Sequence, residues 1–173
     1  MLKDKTIAFL VAEGVEDLEY YAVMMRLQEE GLHILTAAMD LKPIHGKNGL
    51  EIRPDTLIEN LKPDDLFGLV LPGGWAPDKL RRYSQATSLV SAVQAQGKTI
   101  GIICHGGLLA ISAKIVQGRN ATGSLGIKDD LVNAGAHWVD EPAFRDGNQV
   151  WGRVVADIPD FNRELVKALK EAA

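Results

Sequence analysis

The chain has 173 residues, 46% hydrophobic and 24% charged, with a formal net charge of −4. These are the proportions of an ordinary globular protein. The length fits a single domain over residues 1–173, which buries about 70% of its unfolded surface without disulfide or metal staples. An acidic balance with no basic cluster argues against nucleic-acid or anionic-membrane partners, and the lone cysteine, Cys104, has no partner for an internal disulfide.

The N-terminal segment Met1-Leu2-Lys3-Asp4-Lys5 leads into an apolar stretch that Glu13 soon interrupts. That stretch is too short for the core of an export signal or for a membrane span, so the reading is cytoplasmic. Asn120-Ala121-Thr122 matches the glycosylation acceptor pattern, which in such a chain is read as chance.

In chain order, Thr6–Val11 is a continuous apolar run, as for a strand covered on both faces. Asp17–Glu30 turns helical, with Leu18, Tyr21, Ala22 and Met25 at spacings of three and four and Gly31 as the stop. His33–Ala38 reads as a second strand. Glycines flank Lys47-Asn48 in HGKNGLEI, which predicts a small projecting hairpin. Phe67–Leu71 is another buried strand, ended by Pro72-Gly73-Gly74, and Ser84 caps a helix that Gly97 closes. Thr99–Ile103 is the next strand and stops at Cys104. Helices follow through Leu108–Ile115 and Ile127–Ala134, then a hairpin turn at Asp146-Gly147-Asn148. Pro159 starts a last helix with a Phe161, Leu165, Leu169 stripe. Alternating strands and helices predict a mostly parallel sheet between helical layers.

Such sheets bind ligands at the carboxyl ends of their strands. Three unusual loops fall there: Ala12–Asp17, Pro72–Pro77 and Cys104–Gly107. No G-x-G-x-x-G follows the first strand, and Gly97-Lys98-Thr99 lies between helix and strand in the wrong order for a phosphate loop. The four histidines have no metal-ligand spacing, so neither metal nor cofactor is expected.

Gly101-Ile102-Ile103-Cys104-His105-Gly106-Gly107 runs a buried strand into a nucleophilic pair and then into small residues and a helix. A tight strand-to-helix turn strains and exposes its apex residue, and a following helix N-terminus lowers a thiol's pKa. Against this, a lone cysteine is more often a small core residue. Gly73 and Gly74 offer backbone N–H groups for an oxyanion, although Pro-Gly-Gly also makes a plain tight turn. Glu16, in the acidic loop after the first strand, either caps a helix or presents a carboxyl group to the sulfur.

Together, GVEDLEY (14–20), HGKNGLEI (45–52), LVLPGGWAPDKLR (69–81), ICHGG (103–107), IKDDLVNAGAHWVD (127–140) and DGN (146–148) resemble the PfpI branch of the ThiJ/PfpI superfamily. The resemblance covers essentially the whole chain and implies a flavodoxin-like three-layer α/β sandwich. It implies Cys104 as nucleophile, His105 as its partner, Glu16 as the glutamate bonded to the sulfur, and Gly74 and His105 as oxyanion donors. It further implies that Asp78 of a neighbouring subunit orients His105, within a homo-oligomer (dimer or hexamer). Two departures stand out: Gly107 replaces a frequent proline, and Trp151-Gly152-Arg153-Val154-Val155 replaces a Ser-Arg-x-Pro pattern. Trp75 adds bulk beside the oxyanion donors. The implied activity is thiolate attack on small carbonyl electrophiles, as in glyoxalase III-like or deglycase-like hydrolysis of 2-oxoaldehydes or their adducts. The alternatives are an intracellular cysteine peptidase or amidase acting on peptides, and a non-catalytic redox-sensing stress protein or chaperone.

Overall fold

The computed structural model describes residues 2–173. In chain order its elements are β1 (Thr6–Leu10), α1 (Asp17–Glu29), β2 (His33–Ala38), β3 (Ile44–His45), β4 (Glu51–Ile52), β5 (Thr56–Leu57), β6 (Gly68–Leu71), α2 (Ala76–Leu80) and α3 (Ser84–Ala95). There follow β7 (Thr99–Ile103), α4 (Gly107–Ser112), β8 (Asn120–Ala121), α5 (Lys128–Asn133), β9 (His137–Trp138), β10 (Ala143–Asp146), β11 (Gln149–Gly152) and α6 (Ile158–Ala172).

A seven-stranded sheet runs in the order β10-β11-β7-β6-β1-β2-β5, parallel throughout except for the β10–β11 hairpin. Because successive strand residues face opposite sides, the continuous apolar runs feed two separate cores. Ala8, Leu10, Leu69, Leu71, Ile100 and Ile102 pack with Leu89, Val90 and Val93 of α3, Leu109 of α4 and Leu131 of α5. Ile7, Phe9, Val70, Ile103 and Val150 pack on the other face with Tyr20, Val23 and Leu27 of α1 and Phe161, Leu165 and Leu169 of α6. The result is the flavodoxin-like three-layer sandwich. Among the described residues, no helix is long and apolar enough to cross a membrane.

The predicted hairpin at HGKNGLEI forms as the separate β3–β4 pair. Two expectations need correction. The α1 stripe of Leu18 and Met25 faces outward, 49% and 58% exposed, while α1 buries Asp17, Glu19, Tyr20, Val23 and Leu27. Polar residues are buried there because the start of α1 packs on loops whose N–H groups need acceptors. The helix after Cys104 ends at Ser112 rather than Ile115; Lys114 takes φ +60 and breaks it, and Ile115 is buried beyond the break. The short β5 edge strand and the parallel β8–β9 pair carry too few residues for a sequence pattern.

Candidate active site

The carboxyl ends of β1, β6 and β7 bring the three loops together. Val15 and Gly74 form an isolated antiparallel bridge, with Glu16 N–H donating to Gly73 O at 3.2 Å and Trp75 N–H to Gly14 O at 2.8 Å. Gly74 has φ +71, and a Cβ there would lie 2.4 Å from Gly14 O and from Glu16 N. Only glycine lets the loops approach this closely.

Beside this seam, β7 ends at Ile103 in extended conformation and Cys104 turns into the left-handed region at φ +57. A single 3-10 turn, Cys104–Gly106, leads directly into α4. A non-glycine residue held at positive φ costs about 1–3 kcal/mol and marks a place that the surrounding structure over-determines. A Cβ at Gly106 would sit 2.2 Å from Leu71 O. The elbow therefore has the strained apex and the small neighbour that its sequence predicts.

The sulfur is half-buried among donors. His105 Nδ1 lies 3.3 Å from Cys104 Sγ, and the backbone N–H groups of His105 and Gly74 both bond to it. The carboxyl group at the sulfur, however, is that of Glu19, not Glu16. Glu19 is fully buried. Its Oε2 accepts the Gly73 N–H at 2.6 Å, and Oε1 has no nitrogen or oxygen partner, leaving the carboxyl group against the Cys104 thiol. Glu16 is instead the N-cap of α1: Oε2 accepts from Leu18 N at 2.8 Å and Glu19 N at 3.0 Å, and Oε1 from Asn48 Nδ2 at 2.9 Å. The physical reason is helical geometry. The residue preceding α1 turns its carboxylate back onto the helix's own unpaired N–H groups, while the residue three positions later projects from the buried face of the first turn. A glutamate three positions after a capping acid is the sequence signal that points to Glu19.

Burial pushes Glu19 up to about 7, against the opposing effect of its Gly73 bond. Burial, followed by the charge of Glu19, pushes the Cys104 thiol up to about 12, against the His105 and Gly74 N–H groups. The thiol lowering expected from a helix N-terminus alone is thus outweighed. Groups coupled this closely titrate as a pair, in one step near 7 and another near 12. Between those steps the pair holds one proton and one negative charge. The bond from the thiol to Glu19 draws that proton toward sulfur and the N–H groups at the sulfur draw it toward Glu19, so the two groups share it.

The remaining expected residues take definite positions. The Gly73 N–H is committed to Glu19, so the N–H groups of Gly74 and His105 are those beside the sulfur. Trp75 stands at the mouth, 61% exposed. Asp78 lies on α2 and pairs with Arg82 at the surface; among the described residues, no carboxylate of the same chain bonds the His105 ring. His105 is pushed down by burial and by the Lys47 charge, so it favours the neutral ring. The resulting cavity of about 420 Å³ is lined by Glu16, Glu19, Lys47, Gly74, Trp75, Cys104, His105 and Ser124, with Val154, Val155 and Ala156 as a less polar wall. Lys47 and Ser124 went unnoticed in the sequence because each reaches the mouth from a distant loop. Among the described residues, no three His, Cys, Asp or Glu side chains are grouped as metal ligands.

A model of the DJ-1/PfpI family matches residues 5–168. The chain is 40% identical to Deglycase PH1704 of Pyrococcus horikoshii over 164 residues, which cover 95% of this chain and 99% of that protein. Among solved structures, a two-domain protein from Anabaena variabilis with DJ-1/ThiJ/PfpI-like and ferritin-like domains superposes with a TM-score of 0.94 at 30% identity. The match covers 96% of this chain and 48% of that longer one. Schizosaccharomyces pombe DJ-1 shares the fold, with a TM-score of 0.85 at 17% identity and 96% of each chain covered.

Proposed function

The chain belongs to the DJ-1/PfpI family, and on that premise we propose that it is a cysteine-nucleophile enzyme hydrolysing small 2-oxoaldehydes or their early adducts. The observation that carries this reading is the buried Glu19 carboxyl against Cys104, which lets one proton pass between oxygen and sulfur near neutral pH. Attack of the Cys104 thiolate on the aldehyde carbon forms an S–C bond. The Gly74 and His105 N–H groups receive the developing oxyanion, and Glu19 delivers its proton to make a hemithioacetal. Neutral His105 then takes the proton from the former aldehyde carbon. Reprotonation at the neighbouring carbon gives a 2-hydroxy thioester. Water cleaves the S–C bond, releasing the 2-hydroxy acid, and the freed thiol returns its proton to Glu19, restoring the thiolate and the protonated carboxyl group. The net change is addition of one water.

The name of the Pyrococcus horikoshii relative, a deglycase, supports this substrate class, and the modest cavity suits a small carbonyl better than an extended peptide. We assign the site to a homo-oligomer in which Asp78 of a neighbouring copy orients His105, since among the described residues no acid of the same chain bonds His105. A lone thiol without disulfide chemistry supports action in a reducing cytoplasm. The test is a substrate panel of methylglyoxal, a glycated thiol adduct and a fluorogenic peptide, run on wild type, Cys104→Ser and Glu19→Gln. Methylglyoxal turnover is expected in wild type, absent in Cys104→Ser and at least 100-fold lower in Glu19→Gln, on the order of what a general acid contributes. Peptide turnover without aldehyde turnover would reverse the assignment.

A further inference from the structure

We propose that Lys47 makes the mouth of this site an anion-recognising subsite, so that the enzyme prefers 2-oxoaldehydes that also carry a carboxylate. The proposal rests on the reading of Cys104 as the attacking group and adds a substrate preference to it.

Lys47 lines the same cavity as Cys104 and His105. Among the described residues, it forms no ion pair with any carboxylate. Its charge nevertheless reaches the reacting groups, since it lowers the titration of both Glu19 and His105. An ammonium group at a cavity mouth, without a carboxylate of its own, is placed to meet an anion that enters.

The β3–β4 connection that carries Lys47 is exposed, yet it is held at its backbone by buried acids. Asp17 accepts from Asn48 N at 2.7 Å and from Leu50 N at 2.9 Å. Glu16 holds the Asn48 side chain at 2.9 Å, and the Lys47 N–H donates to Val15 O at 2.8 Å. Asp17 and Glu16 are both buried. Two buried carboxylates and a carbonyl therefore fix a solvent-facing turn against the site. The lysine's stem starts from a rigid point beside the sulfur, which reduces the ordering cost of binding an anion there. Ser124 lines the same cavity and carries a neutral hydroxyl.

The test uses two alkylating agents of nearly equal size, anionic iodoacetate and neutral iodoacetamide, on wild type, Lys47→Met and Lys47→Arg. The ratio of their rates at Cys104 reads attraction of an anion independently of turnover. One unit charge at this range in a largely solvated mouth changes a rate by about fivefold. Lys47→Met is expected to lower the iodoacetate-to-iodoacetamide ratio by about that factor and Lys47→Arg to retain it. Added salt should lower the wild-type ratio toward the Lys47→Met value. The 2-oxoaldehydes 4,5-dioxopentanoate and methylglyoxal give the matching substrate pair, with 4,5-dioxopentanoate turnover expected to fall more than methylglyoxal turnover in Lys47→Met. An unchanged alkylation ratio in Lys47→Met would overturn the proposal. Oxalate binding measured by calorimetry covers a thiol that reacts with neither reagent. Oxalate affinity that falls about fivefold in Lys47→Met upholds the subsite while sinking the enzyme reading, and affinity independent of Lys47 sinks the subsite.

Discussion

Gly107 and Trp151 meet behind the elbow: a Cβ on Gly107 would lie 3.4 Å from Trp151 Cζ3 and 2.9 Å from Ile127 Cδ1. These are two of the positions at which the sequence departs from its resembling family, and they are spatial neighbours. Trp151 is fully buried, with its Nε1 donating to Gln149 Oε1 at 3.2 Å. A methyl at 107 would meet the Trp151 ring at ordinary contact distance, and its tight contact is with the Ile127 Cδ1 methyl. Gly107→Ala should therefore cost at most about 1 kcal/mol, because the end of the Ile127 side chain can shift and alanine has the better helix propensity. In an Ile127→Val background, which removes that methyl, the cost should shrink, giving a coupling energy of at least about 0.5 kcal/mol in a double-mutant cycle of denaturant midpoints.

Glu19 makes stability depend on pH in a fixed direction. Its folded-state pKa of about 7 lies above the ordinary 4.5, so folding favours its protonated form. That contribution is complete below pH 4.5 and is lost as pH rises through 7. The loss amounts to roughly 3 kcal/mol at 1.36 kcal/mol per pKa unit. Glu19→Gln should remove this decline, so the wild-type-minus-variant difference in unfolding free energy should fall between pH 5 and pH 8. Denaturant titrations at the two pH values measure it, and parallel curves would contradict the buried acid.

The shared proton predicts how Cys104 alkylates. Iodoacetamide should react with the wild type with a midpoint near 7, below the roughly 8.5 of a free thiol. In Glu19→Gln the amide is a weaker donor to sulfur than the carboxylic acid, so the midpoint should move upward. A rate profile followed by mass spectrometry decides it, and a wild-type midpoint at the free-thiol value would remove the activated nucleophile.

Glu16, by contrast, should behave as a cap. Glu16→Ala is expected to cost about 1 kcal/mol and to move the midpoint of Cys104 alkylation only slightly downward, since the Glu16 charge is a lesser cause of the raised Glu19 pKa. A shift comparable to that of Glu19→Gln would return Glu16 to the sulfur.

Asp78 tests completion of the site by a second copy. Asp78→Ala should lower methylglyoxal turnover without abolishing alkylation of Cys104. Mixing it with Cys104→Ser should restore part of the activity, because mixed assemblies regain intact pairs of Asp78 and His105. A fully active monomer at micromolar concentration, by sedimentation, would exclude the arrangement.

The elbow was legible because its signal is local: an apolar strand, a polar pair and two glycines in seven consecutive residues. The two cores were legible for a similar reason, since uninterrupted apolar strands must be covered on both faces. The sulfur's carboxyl neighbour was not. Choosing between Glu16 and Glu19 requires knowing where the first turn of α1 begins, and a shift of three residues changes the side chain from cap to buried contact. The outward turn of Leu18 and Met25 has the same origin: their spacing reads as an apolar face, but buried acids at Asp17 and Glu19 set the helix's rotation. Lys47 was hidden because its importance depends on a contact between segments some sixty residues apart in the chain, which no local pattern encodes.

The tip of the β3–β4 turn is tied down through the N–H groups of Lys47, Asn48 and Leu50. Every residue except proline carries that group. The side chain at 47 can therefore change while the turn keeps its shape and the nucleophile keeps its setting. Evolution, or an engineer, has here a position at which selectivity can drift in single steps, with the chemistry inherited intact.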